Sequence, residues 1–278
     1  MVDDLHCLFK RGRRHAKYAR KRLAHIENQE NRHRDRECAK AQRDNGRVIG
    51  SRQHAEAAEG GGRQFAVWGH SQGGQAALYT GILTGSYAPE LDLVGVAAAA
   101  PATELATLMQ DDLGTSGGDN LTAMTLWSWS RVYGAPMSKV ITPSALPAVN
   151  QLAGMCIERL FDILRRRGPS RTLQQSFLTV NDLAKQEPWR SLLAENTPGP
   201  LPSDIPVFLA QGTADHLVIP SVTRQYASIL CRSGSRVTLD WLPGVSHGFA
   251  GRDSASAAVA WMADRFNDAP APSNCGSE

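Results

Sequence analysis

Three side chains far apart in the chain could together make an activated nucleophile. Ser71 lies in Gly69-His70-Ser71-Gln72-Gly73, a G-x-S-x-G pattern. A serine hydroxyl attacks poorly at neutral pH, so it needs a base, and the base needs an acid to hold its tautomer. Asp215, in Gly212-Thr213-Ala214-Asp215-His216, and His247, in Gly244-Val245-Ser246-His247-Gly248-Phe249, supply those residue types in the chain order Ser, Asp, His. The chemistry such a set performs is acyl transfer through serine.

A pattern this short arises by chance, and the chain holds its own control in Gly114-Thr115-Ser116-Gly117-Gly118. A nucleophile elbow needs a buried strand feeding the first glycine and a helix starting just after the serine. Phe65-Ala66-Val67-Trp68 before Ser71 and the stretch from Gln72 to Leu83 after it have those characters. Ser116 stands between Gln110-Asp111-Asp112-Leu113 and Gly118-Asp119-Asn120, which reads as a flexible loop. His70 is too close in sequence to aim at Ser71 and reads as a packing residue, while His216 adjoins the acid and is an inferior base. Asp240 is the fallback for Asp215. Trp127, Trp129, Tyr133 and Phe161 could line an acyl pocket, although such aromatic spacing more commonly marks plain core.

Those residues need a scaffold that brings them to one rim. Leu93-Val94-Gly95-Val96-Ala97-Ala98 reads as a buried strand, and strand character returns at 205–210 and 236–241, with helices at 220–231 and 253–266. Residues 102–200 carry helical stretches around 121–133 and 146–167, broken by Pro136, Pro143, Pro147 and Pro169, and read as an inserted helical cap. The order strand, helix, strand, cap, strand, helix, strand, helix predicts an α/β fold with a parallel sheet and flanking helices. In such sheets functional groups lie beyond the carboxyl ends of the strands, so Ser71, Asp215 and His247 are expected at one edge.

The chain has 278 residues and a net charge of +3, with 42% hydrophobic and 21% charged residues. Fibrous and wholly disordered classes are excluded, and no unbroken apolar stretch approaches the roughly 20 residues of a membrane span. Residues 1–63 hold 16 of the 30 Lys+Arg and 9 of the 27 Asp+Glu, which makes the head +7 and the remainder −4. Residues 1–61 are therefore expected to be a basic, strand-poor segment, residues 62–268 the folded α/β core, and the Pro/Ala/Ser-rich residues 269–278 a disordered tail. The basic run Lys10–Arg22 could contact phosphates, but a solvated segment is the favoured reading and a nucleic-acid role is not expected. Five cysteines (Cys7, Cys38, Cys156, Cys231, Cys275) suit neither a disulfide framework nor a zinc site, and a Cys156–Cys231 bridge is conceivable. Met1-Val2-Asp3-Asp4 lacks the start of a secretory signal.

Residues 67–77, residues 93–102 and Gln211-Gly212-Thr213-Ala214-Asp215 together resemble the secretory lipase group of α/β-hydrolases, with a likeness covering about residues 62–267. The resemblance implies carboxylic ester hydrolysis through an acyl-enzyme, a small-molecule ester or acylglycerol substrate, no cofactor or metal, and a helical cap over the acyl site. By it Ser71, Asp215 and His247 match the family's triad, and the backbone N–H of Gln72 is one oxyanion donor. It also suggests secretion, for which this chain carries no signal.

The chain departs from the family pattern before the elbow. Full members carry several more strands there, and the second oxyanion donor follows one of them. The recognisable part is thus a partial α/β-hydrolase fold. The Arg-rich head reads as a basic extension, as an N-terminus without the early strands or, preferably, as an altered or frame-shifted translation of them. The strand at 65–68 would be an open edge and a route to self-association. Two functional readings follow: an ester hydrolase, or a catalytically weak or inactive binding protein of the same fold with a basic contact segment.

Overall fold

The computed structural model describes residues 63–155 and 167–276. The basic head, Phe161 and the thiols of Cys7, Cys38 and Cys156 lie outside the described residues.

The chain enters through β1 (Gln64–His70), turns at Ser71 into α1 (Gln72–Tyr87) and returns through β2 (Asp92–Ala99). The cap follows, with α2 (Leu105–Asp112), α3 (Ser116–Val132), α4 (Leu146–Ala153), α5 (Arg167–Gln175) and α6 (Trp189–Glu195). The sheet resumes with β3 (Val207–Gly212), α7 (Pro220–Arg232), β4 (Val237–Leu242) and α8 (His247–Phe266). All three strand pairings are parallel, in the order β1-β2-β3-β4. Every crossover therefore begins and ends on the same pair of rims, which is what gathers the loops after β1, β3 and β4.

Side-chain parity along the central strands builds two separate cores. Val96, Ala98, Val207 and Leu209 face Ala77 and Leu78 of α1 and Tyr226 and Leu230 of α7. Their alternates Ala97, Ala99, Phe208 and Ala210 face Ala258, Trp261 and Met262 of α8. β2 is buried along nearly its whole length, as a strand covered on both faces must be. The cap has a core of its own, in which Leu126, Val149, Leu152, Leu173, Trp189 and Leu193 pack together. Trp127 and Trp129 pack at its margin, and the Trp127 indole N–H donates to Asn150 Oδ1 at 3.1 Å.

Several sequence expectations are corrected. Ser116 is not in a flexible loop but opens α3, because Thr115 caps the helix by accepting the Gly118 N–H at 3.0 Å, despite the two glycines. Of the helical stretch expected over 146–167, α4 ends at Ala153 with Gly154 as its C-cap, and residues 156–166 lie outside the described residues. The last helix begins at His247 rather than near 253.

The tail is not disordered over residues 269–276. The Asn274 side chain accepts the Leu239 N–H at 2.9 Å and donates to its carbonyl at 2.8 Å, so the tail lies along β4. Cys231 pairs with Cys275 rather than Cys156, joining α7 to that tail. The bridge closes a 44-residue separation, which by chain entropy is worth about 4 kcal/mol in an upper view and 2–4 kcal/mol in common experience. Cys231→Ser with Cys275→Ser should lower urea-unfolding stability by about 2–4 kcal/mol. Turnover measured at low temperature should be unaffected, since the bridge sits at the amino ends of the strands.

Candidate active site

Ser71 sits between β1 and α1 with φ 57° and ψ −120°, a conformation that non-glycine residues adopt only when their surroundings impose it. Here the surroundings do. The Ser71 N–H donates to Ala99 O at 2.9 Å, and its carbonyl accepts the N–H groups of Gln75 at 3.0 Å and Ala102 at 3.3 Å. The turn is so tight that a Cβ on Gly69 would stand 2.0 Å from Gly73 O, so only glycine fits at the first position of the motif. A Cβ on Gly74 would press on Pro101 at 3.1 Å, which is the close helix–strand approach that the glycine permits.

The loops after β3 and β4 bring the other two residues to the same rim. The Thr213 N–H donates to Leu242 O and the Ala214 N–H to Val245 O, tying the two loops together. A Cβ on Gly212 would meet Val245 O at 2.2 Å, so that approach also requires glycine. His247 Nε2 lies 2.9 Å from Ser71 Oγ, and His247 Nδ1 lies 2.8 Å from Asp215 Oδ2. All three predicted residues are thus in one hydrogen-bonded chain.

The protons in this chain follow from the partners. A carboxylate oxygen can only accept, so His247 Nδ1–H donates to Asp215, and the lone pair of Nε2 is left facing the serine hydroxyl. Asp215 is 2% exposed, and its Oδ1 accepts two backbone N–H groups, from Leu217 and Val218, each at 2.9 Å. Gln211 Nε2 donates to Oδ2 at 3.2 Å. Burial by itself pushes this carboxyl up, but the hydrogen bond and charge of His247 and the two backbone donors outweigh it and hold the group below its ordinary value.

Two residues near this chain were not assigned roles from sequence. Gln211, fully buried, donates to Val218 O at 2.9 Å and accepts from Thr223 Oγ1 at 2.5 Å, so it braces the acid's loop from below. A strand residue whose partners come from α7 and a loop has no signature in local sequence.

The second is Asp112, 7% exposed at the end of α2. Burial, then Asp111 and Asp215, push its carboxyl up to about 7, with His247 acting the other way. A carboxyl raised on folding costs stability once it must ionise. The cost is absent below the unfolded pKa near 4, grows between about 4 and about 7, and is fully present above that. Asp112→Asn should therefore raise thermal stability at pH 8 by on the order of 1 kcal/mol, with the gain vanishing near pH 4 in melting curves across that range.

His70 is a packing residue, as expected. Its Nε2–H donates to His247 O at 2.9 Å, and the two rings lie 4.9 Å apart. Burial first, and then the neighbouring His247, hold its pKa below the ordinary histidine value. His216 is exposed and Asp240 lies within β4. Neither takes part in the hydrogen bonds of the Ser71 chain. Gln72 is the first residue of α1, at the positive end of the helix dipole beside the serine. Among the described residues, no helix is long and apolar enough to cross a membrane.

Comparison with solved structures shows the fold. Candida antarctica lipase A is similar with a TM-score of 0.64 at 17% identity, over 80% of this chain and 53% of that one. A putative hydrolase from Legionella pneumophila has a TM-score of 0.66 at 12% identity, over 78% of this chain and 60% of that one. The rice cell wall degrading esterase LipA from Xanthomonas oryzae has a TM-score of 0.62 at 17% identity, over 80% and 63%. The chain thus spans between 53% and 63% of the length of these neighbours. No curated protein sequence matches the chain significantly. The family model described as secretory lipase matches residues 49–274, the greater part of the chain, which therefore belongs to the secretory lipase family.

Proposed function

We propose that the protein hydrolyses carboxylic esters through an acyl-enzyme on Ser71. The observation that carries this reading is the pair of hydrogen bonds, 2.9 Å and 2.8 Å, that links a serine in a strained strand–helix turn through one imidazole to a buried carboxylate. Membership of a lipase family, and likeness in fold to a lipase and an esterase, point the same way.

In this reading Ser71 Oγ attacks the ester carbonyl carbon while its proton passes to His247 Nε2. The imidazolium is stabilised by Asp215, which stays ionised. The carbonyl oxygen becomes an oxyanion that accepts the backbone N–H of Gln72, strengthened by the start of α1. Collapse breaks the bond to the alcohol oxygen, which takes the proton from Nε2 and leaves. Water then repeats the sequence on the acyl-serine, giving the free acid and restoring the hydroxyl. Neither half-reaction needs a redox partner.

The test is turnover by purified full-length protein on p-nitrophenyl esters of two to twelve acyl carbons. Hydrolysis above the buffer rate is the expected result. A folded protein that hydrolyses none of them would contradict the proposal and favour a binding role for the same fold.

A further inference from the structure

The part of the chain that carries Ser71 and the first cap helices is poor in cations. From Gln64 to Ser130 it holds six Asp+Glu and no lysine or arginine. Two of these acids, Asp111 and Asp112, end α2, and Asp119 lies in the first turn of α3. Asp119 is buried, and its Oδ1 accepts the Gly114 N–H at 2.9 Å. Asp112 is 7% exposed and has no such support. Among the described residues, none donates a hydrogen bond to its carboxylate and none forms an ion pair with it. Neither oxygen is sealed in protein, so the carboxylate keeps a face to solvent.

Packing fixes where that group stands. Leu108, one helical turn before Asp112 on the same face of α2, is buried in one cluster with Ala100, Val218 and Ala250. Val218 follows Asp215 by three residues, and Ala250 follows His247 by three. A Cβ on Gly118 would stand 2.2 Å from Asp112 Cβ, and one on Gly117 would stand 3.1 Å from Leu217. The start of α3 thus packs on both Asp112 and the loop of Asp215. The cations on the cap elements packed against α2 are engaged elsewhere. Arg131 lies 3.5 Å over the Trp127 ring, Lys185 pairs with Asp182 at 3.2 Å, and Arg190 pairs with Glu187 at 2.6 Å.

We infer that Asp112 is the counter-ion for a cationic group carried by the ester, so that the Ser71 site selects substrates with an ammonium near the scissile bond. A buried carboxylate without a partner is costly, and such groups persist where function needs them. Burial first, then Asp111 and Asp215, hold its proton on up to about 7, with His247 acting the other way. The charge this place lacks is therefore a positive one, and an ammonium supplies it. An apolar group of the same shape leaves the carboxylate desolvated with nothing in return, and an anionic group is repelled by Asp112 and Asp215 together.

Binding of a cation there has a proton signature. At pH 7 about half of the Asp112 carboxyls carry a proton, and a cation that requires the ionised form expels it, so about half a proton leaves per site. A neutral group of the same shape expels none. The choice of substrate rests on the ester-hydrolase reading, and the cation site itself does not.

The experiment uses the full chain at pH 8 and two pairs of esters. The first is choline butyrate and its carbon analogue, in which a tert-butyl group replaces the trimethylammonium. The second carries the same two groups at the end of the acyl chain of a p-nitrophenyl ester. In at least one pair kcat/KM should favour the cationic member by about tenfold or more. Asp112→Asn should bring that ratio near one, whereas Asp111→Asn, an equal change of charge at an exposed neighbour, should keep most of it. A ratio taken within one protein cancels any general loss from the substitution. Calorimetry with choline alone at pH 7, in buffers of differing ionisation heat, should show binding and proton release in the unmodified protein and neither in Asp112→Asn. Ratios near one in both pairs, or a preference that survives Asp112→Asn, overturn the assignment. Choline binding with proton release to a protein that hydrolyses neither pair overturns the ester-hydrolase reading and leaves the cation site standing. Absence of both turnover and binding overturns the two together.

Discussion

Replacing Ser71 by alanine should lower turnover of p-nitrophenyl esters by about 10³-fold or more, with little change in melting temperature. The two effects separate because the strain at this residue is in the backbone. Its φ of 57° is held by Ala99 O, by the Gln75 and Ala102 N–H groups and by the packing of Gly69 on Gly73, none of which involves the hydroxyl. Alanine keeps all of these and removes only the atom 2.9 Å from His247 Nε2. Steady-state kinetics with calorimetry on the same sample checks both halves. Turnover that survives the exchange would take Ser71 out of the mechanism.

Asp215→Asn should reduce kcat by about 10³- to 10⁴-fold at neutral pH, and the reason lies in which oxygen can be replaced. Oδ1 accepts the N–H groups of Leu217 and Val218, so the amide oxygen of asparagine must take that position. The amide NH₂ then stands where Oδ2 was and donates to His247 Nδ1. The imidazole is forced into the tautomer with its proton on Nε2, pointing at Ser71, and can no longer accept one. The same NH₂ also confronts the donor of Gln211, an opposition that costs about 1–3 kcal/mol in a buried site. Kinetics and urea unfolding should therefore both report a loss, in contrast to Ser71→Ala. A variant with near-normal kcat would show that the tautomer is not controlled from Asp215.

Acid should act on the same carboxylate. Its pKa is held below the ordinary value, so its contribution to stability is complete at neutral pH. That contribution is lost as pH falls below the usual aspartate range through the depressed folded value.

The parts of the site that follow strands were legible from residue order. Val67-Trp68 into Gly69, and the apolar runs ahead of Asp215 and His247, mark carboxyl ends of parallel strands, and parallel strands must share a rim. The distances between the three side chains were not legible, because they depend on the approach of the loops at Gly212 and Val245. Asp112 and Gln211 escaped notice for a related reason. Each gains its character from neighbours on other elements, and neither stands in a pattern that period or spacing reveals.

The tail was misjudged from composition. Pro270, Pro272 and Ser273 look like a frayed end, yet a chain without helix or strand of its own can still be held by Asn274 and Cys275 against an edge strand. The start of α3 shows the opposite error. Gly117 and Gly118 argue for a loop, but the Thr115 cap and Asp119 in the first turn favour a helix, and burial of Leu126 against the cap core secures it.

The most direct test of the account is covalent capture of the nucleophile. A fluorophosphonate should add once per chain, and peptide mass spectrometry should find the adduct on Ser71. Labelling should be slowed strongly in His247→Ala and should not occur on Ser116. Adduct on another residue, or a folded protein that stays unlabelled, would contradict the claim that His247 activates the Ser71 hydroxyl.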